Sequence, residues 1–292
     1  MKKSFYTWPK PVLLYPDQGK KSYRLKRLRY SLRSLLHYPL IKKFEREVNQ
    51  NTLFADLLIQ RANYSYPLVH RFLDKRFGGK ERFNTICDNL SFLPKLFAER
   101  NITQLWNKPI CFGEIIENVE LYLNINEHQP MEGFWALELR YKPTNQLIYL
   151  LTFGKLKEAL LIAVIQGPNF EGSKDLVKLL TKKCHGLRPA YLMVEAMKCL
   201  TLSLGYNQLF GIPQKYQNKS RWVQSKRYVV DYDAIFKESS GELNEYWELP
   251  LSLESKKLED IPSNKRSMYR KRYAMLEQLL HSMQDMLMVK NN

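Results

Sequence analysis

Residues 159–165 (ALLIAVI) constrain the fold more than any other stretch. They are continuously apolar, with Gly154-Lys155 upstream and Gly167-Pro168 downstream as turn signals. A run this short between turn residues reads as a strand. A strand without a polar face has to be covered on both sides. The chain therefore needs a central sheet with helices packed against it.

The neighbouring sequence supplies that sheet. Short apolar or alternating pieces occupy 110–117, 119–126, 134–141, 147–153 and 159–166. The connections are short, and an antiparallel meander is the economical way to join them. Helices are expected near 174–183 and 189–204. The second (PAYLMVEAMKCLTLSLG) is apolar nearly all round, as a deeply buried helix is. Pro189 suits its first turn and Gly205 its C-terminal cap. Strands follow near 207–212, 227–231 and 244–249. A helix capped by Ser263 runs over 264–288, with Met268, Met275, Leu279, Met283 and Met286 on its inner face. Upstream, helical periodicity covers 22–37, 40–48, 52–61, 67–77 and 80–100, with a kink or break at Pro94. The expectation is an α+β fold: a helical region over residues 1–104, then a mostly antiparallel sheet flanked by helices over 105–292. With 292 residues, 45% of them apolar, the core is sizeable.

Charge is distributed unevenly. The formal net charge is +17; residues 1–46 hold 13 Lys/Arg against Asp17 and Glu45, a net +11, so the other 246 residues carry only +6. Within 22–37 (SYRLKRLRYSLRSLLH), Leu25, Leu28, Leu32, Leu35 and Leu36 share one helical face, while Arg24, Lys26, Arg27 and Arg33 fall largely elsewhere. Such a helix docks on the protein body, lies on anionic lipid or contacts nucleic acid. A second basic cluster comprises Lys265, Arg266, Arg270, Lys271 and Arg272. Fields of this kind attract phosphorylated ligands, acidic carrier proteins, nucleic acid or anionic lipid, or simply keep a surface solvated.

Other patterns exclude functions. Cys87, Cys111, Cys184 and Cys199 form no C-x-x-C pair, so buried free thiols are expected and a metal site is not. Pro9, Pro11 and Pro16 interrupt the first apolar stretch, which is no secretory core, and no apolar run approaches a membrane span. The expected location is the cytoplasm, with at most peripheral contact at the inner membrane. There is no G-x-S-x-G, H-E-x-x-H or G-x-G-x-x-G motif, and Gly78-Gly79-Lys80 reads as a turn.

The chemistry is best sought in 181–212. A basic, glycine-bearing loop there opens a buried helix that feeds a short strand. Free N–H groups and a positive dipole end suit a helix start to phosphate. Lys182, Lys183, His185, Gly186 and Arg188 lie beside it, and Gln166 and Gly167 leave the central strand, where α/β sheets commonly hold ligands. His185 is the candidate for acid/base work because its pKa moves readily across neutrality. Asp233 is the second proton-transfer candidate. Tyr232 and Trp247 add polar and aromatic groups. A structural loop and helix, with a structural histidine, is the alternative for each.

The layout of meander, basic loop, helix and strand resembles the GNAT acyltransferase fold. The loop keeps one glycine, Gly186, where that fold usually has two or three. The resemblance implies acyl-CoA or acyl-carrier protein as the ligand.

Four further stretches carry a family resemblance: Arg82-Phe83-Asn84 with Asp88-Asn89-Leu90, the Gln166-Gly167-Pro168 turn, residues 180–189 (LTKKCHGLRP) and residues 265–273 (KRSMYRKRY). Through them the chain resembles the VirK/YbjX family. The resemblance implies a bacterial protein linked to envelope stress, virulence and antimicrobial-peptide resistance, and it supplies no reaction. Three kinds of function stay open: acyl transfer or acyl-thioester binding, non-enzymatic binding of nucleic acid or anionic membrane, and a scaffold that engages a protein partner through the Met-rich C-terminal helix.

Overall fold

The computed structural model describes residues 5–19, 21–218, 231–253 and 256–288. The strand expected at 227–231 lies almost wholly outside them. Helices come first: α1 (Pro11–Leu14), α2 (Lys21–Leu36), α3 (Tyr38–Gln50), α4 (Thr52–Gln60) and α5 (Gly79–Glu99). Pro39 takes an early position of α3, where its missing N–H costs nothing. Asn51 caps α4 by accepting from the Leu53 amide. Pro94 does not break α5, which runs through it.

The helix expected at 67–77 does not form. A 3-10 segment, Ala62–Val69, is followed by an irregular stretch with Leu73 at φ 52°. The backbone finds partners across the molecule instead: the Leu73 amide donates to the Met131 carbonyl and the Lys75 amide to the Tyr216 carbonyl. Tertiary hydrogen bonds have overridden a weak local preference.

One sheet follows: β1 (Ile110–Ile116), β2 (Val119–Ile125), β3 (Trp135–Tyr141), β4 (Gln146–Leu156) and β5 (Ala159–Gln166), then α6 (Ser173–Lys183), α7 (Pro189–Ser203), β6 (Leu209–Gly211), α8 (Tyr232–Glu238), β7 (Glu242–Leu243), β8 (Trp247–Leu249) and α9 (Ser263–Leu287). Strand order is β1-β2-β3-β4-β5-β6-β8-β7. The first five strands form an antiparallel meander. The β5–β6 pair is parallel, and β8 returns antiparallel to β6. The class is α+β.

Strand β5 is buried throughout except at Gln166. Helices α5 and α7 pack on the central strands, and α9 packs on α7 and β1. The first helices share this core: buried residues from Tyr6 to Leu287 form one cluster. Asn89 of α5 grips β4, donating to the Lys155 carbonyl at 2.7 Å and accepting from the Lys155 amide at 2.7 Å.

The inner face of α9 differs in detail from the expected one. Tyr273, Leu276, Leu279, Met283 and Leu287 are buried, whereas Met286 is exposed. Ser263 is the first helical residue and makes no cap bond; Pro262 holds the cap position.

Candidate functional site

The site begins with a mismatch in strand length. Of β5, only Leu160, Leu161 and Ile162 pair with β6. A bulge then falls on β5: Thr152 faces Val164, Phe153 faces Ile162, and Ala163 is the extra residue. Past it, β5 continues to Gln166 while the chain leaves β6 at Ile212, whose amide still donates to the Ile162 carbonyl at 3.0 Å. The two strands part as a fork at the carboxyl end of β5, where the connection changes from meander to helical crossover.

Side chains from four elements line this fork. The Tyr232 hydroxyl donates to the Ile165 carbonyl at 2.7 Å. The Tyr232 amide donates to Gln214 Oε1 at 3.1 Å, and the Gln214 amide donates to Asp233 Oδ1 at 3.1 Å. Trp247 Nε1 donates to the same Asp233 oxygen at 2.8 Å. Asp231 caps α8 by accepting from the Ala234 amide. On the other side, a Cβ on Gly167 would stand 2.9 Å from the Tyr149 ring, so only glycine lets the chain turn there without displacing the tyrosine.

Topology brings the basic loop to the same end. β6 restarts beside Leu160, so α7 runs back along the sheet and begins near the carboxyl end of β5. Tyr191, in its first turn, bonds Glu238 of α8 through its hydroxyl. Arg188 is the exposed N-cap residue of α7.

The loop itself is a Schellman-type stop to α6. The Gly186 amide donates to the Thr181 carbonyl at 2.8 Å and the His185 amide to the Lys182 carbonyl at 3.2 Å. His185 holds the left-handed position at φ 51°, and Gly186 follows at φ 77°. Arg272 of α9 locks the turn, donating twice to the His185 carbonyl from Nε at 3.2 Å and Nη2 at 2.8 Å.

Among the residues singled out from sequence, several have structural work. Lys182 and Lys183 stand in the last turn of α6, where the helix dipole favours cations. Their charge therefore has a local cause besides any anion. Lys183 pairs with Glu117 at 2.8 Å, and Lys182 is exposed. Asp233 serves as an acceptor between two elements. His185 is partly exposed; burial, with Lys271 and Arg272 nearby, holds its imidazole below the ordinary value.

The surface cations divide in the same way. Arg27 pairs with Asp17 at 3.1 Å, Arg33 bonds the Tyr66 hydroxyl, and Lys26 lies over the Tyr23 ring at 4.7 Å. Arg24 is exposed. In α9, Arg266 donates to the Ile261 and Glu259 carbonyls, whereas Lys265, Arg270 and Lys271 point to solvent. No metal-binding cluster occurs among the described residues, and the four cysteines are free.

Two groups escaped the sequence reading. Glu195 and Lys198 are buried within α7, 2.9 Å apart. Glu195 Oε2 has no hydrogen-bond partner among the described residues. Burial raises the Glu195 carboxyl while Lys198 opposes it. Their i,i+3 spacing was the available signal, masked by the apolar residues around them.

Fold and fork together define an α+β protein with a mixed sheet and, among the described residues, one helical crossover. The chain belongs to the family described as "Protein of unknown function (DUF535)", which it matches over residues 19–285. A Haemophilus influenzae relative described as "Uncharacterized protein" is 57% identical over 285 residues, covering 98% of this chain and 97% of its own length. "Membrane protein LapB" of Mannheimia haemolytica is 68% identical over 218 residues, covering 75% of this chain and 96% of its own. The Escherichia coli K12 protein YbjX is 28% identical over 277 residues, covering 89% and 83%, in keeping with the VirK/YbjX resemblance. No solved structure matches the chain.

Proposed function

We propose that the fork between β5 and β6 binds a phosphate-bearing acyl thioester, carried on coenzyme A or on acyl-carrier protein, and presents it for acyl transfer. The observation that carries this reading is the early loss of β5–β6 pairing at Ile162. It ends the pairing of the central strand with its neighbour at the switch in topology, a usual place for a ligand. The resemblance of the sequence layout to the GNAT fold favours the same reading. An extended pantetheine arm suits the end of a strand whose neighbour has turned away, and the start of α7 with Arg188 suits its phosphates.

His185 is the proton carrier in this scheme. An acceptor N–H or O–H gives its proton to the imidazole as its heteroatom attacks the thioester carbonyl. The C–S bond then breaks, and the proton passes to the departing thiolate. A lowered imidazole pKa keeps the base form available near neutrality. Asp233 acts by holding Gln214 and Trp247 beside the fork. The name "Membrane protein LapB" of the Mannheimia relative and the envelope setting implied by the VirK/YbjX resemblance support a membrane-proximal acceptor.

Calorimetric titration with acyl-CoA and with acyl-carrier protein tests the reading. Saturable binding to one of them, weakened about tenfold or more by Arg188→Glu through loss of a charge-assisted phosphate contact, is expected. Absence of binding to both overturns it.

A further inference from the structure

Helix α2 is built inside out. Its inner face is aromatic and polar: Tyr30 is 1% exposed, its hydroxyl donates to the Pro9 carbonyl at 2.7 Å, and its ring stacks on Trp8 at 6.0 Å. Arg27 and Arg33 also point inward to partners, on Asp17 and Tyr66. Leu25, Leu28, Leu32, Leu35 and Leu36 point the other way and are 53–78% exposed.

The neighbouring α1, packed against α2, adds exposed Val12 and Leu13. Phe5 and Tyr38 are exposed as well. Nine of the sixteen exposed large apolar side chains among the described residues thus fall between positions 5 and 38. A single exposed leucine needs no explanation, but a stripe of five on one helix face does.

Charge identifies what covers the stripe. At 100° per residue, exposed Arg24 and Arg29 flank the leucines on either side, and Lys21 falls among them. Helix α2 contains no carboxylate, and nearby Asp17 is already paired with Arg27. Nucleic acid would engage the cations and leave the leucines wet. A second copy would bring the same basic rim against itself. An anionic bilayer satisfies both: leucines enter the acyl boundary while the cations sit among headgroups. None of the described helices is long and apolar enough to cross a membrane, so α2 would lie in the interface plane.

We propose that α1 and α2 form an amphipathic docking surface for an anionic lipid bilayer. The docking stands on residues remote in sequence from the β5–β6 fork and holds whether or not that fork binds a thioester. Tyr30 and Trp8 hold the helix in place, and with Arg27 and Arg33 turned inward the cations beside the leucines among the described residues of α2 are Lys21, Arg24 and Arg29.

Cosedimentation with vesicles tests this. The protein should bind vesicles of phosphatidylcholine with phosphatidylglycerol, and bind phosphatidylcholine alone about tenfold or more weakly, with the difference shrinking at high salt. Leu28→Asp with Leu32→Asp should abolish the binding without changing the circular-dichroism melting curve, because both side chains are already exposed. Arg24→Glu with Arg29→Glu should weaken it by about fivefold or more per residue. Wild-type binding by the leucine variant overturns the proposal. So does failure to bind either vesicle, whether the protein then forms a dimer lost with Leu28→Asp and Leu32→Asp or binds RNA instead.

Discussion

The Tyr232 hydroxyl donates to the Ile165 carbonyl at 2.7 Å on an edge of β5 that β6 has already left. A side chain from α8 thus supplies the hydrogen bond that the next strand would have made. Both groups are buried, so neither could turn to water without rearrangement. Tyr232→Phe should destabilise the fold by about 1–3 kcal/mol, because it leaves a buried carbonyl unpaired. Urea denaturation measures this; an unchanged midpoint would mean the carbonyl is already satisfied by other means.

The Glu195–Lys198 pair allows a sharper test. Lys198→Met alone removes the partner of Glu195 Oε1 and leaves the carboxyl buried, its Oε2 already without a hydrogen bond among the described residues. A cost of about 3–5 kcal/mol is expected for breaking a buried pair from one side. Glu195→Gln with Lys198→Met should recover most of that loss. Equal destabilisation of the single and double variants in a thermodynamic cycle would contradict an ion-pair role.

His185 predicts a signed pH effect. Its folded pKa lies below the ordinary imidazole value of about 6.5. The unfolded chain therefore binds more protons in the window between the two, and stability falls as pH drops below about 6.5. His37, also lowered, contributes with the same sign. His185→Asn should flatten part of this slope while tolerating φ 51°; His185→Val should cost about 1–2 kcal/mol, because a β-branched residue resists the left-handed region. Stability that rises on acidification from 6.5 would count against the lowered imidazole.

The buried thiols should be inert. Cys184 and Cys199 are buried, and desolvation pushes both pKa values up to about 12. A thiol reagent near neutral pH should leave these two unmodified until the protein unfolds, because the thiolate is the reacting form. Mass mapping that finds either labelled in the native state would refute their placement.

Sequence reached the scaffold more readily than the surfaces. Residues 159–166 and the start of α7 at Pro189 were legible because uninterrupted apolar runs and proline punctuation are local signals. The 3-10 segment and the irregular turn at Leu73 were not. Their backbone partners, Met131 and Tyr216, come from distant parts of the chain that no local pattern encodes. The same holds for the candidate site: Lys182, His185 and Arg188 read as one basic cluster, yet Lys182 closes α6 while Arg188 opens α7. The α2 leucines could be assigned to one face, but periodicity does not say whether that face looks inward or outward. Tyr30 and Trp8 decide it through a stack between residues 22 apart in sequence.

Hydrogen exchange with and without saturating palmitoyl-CoA tests the central claim, that the fork is the ligand site. The account predicts slower exchange in peptides covering residues 163–169 and 186–192, at the end of β5 and the start of α7. Unchanged exchange in both segments, or protection confined to α1 and α2, would contradict it.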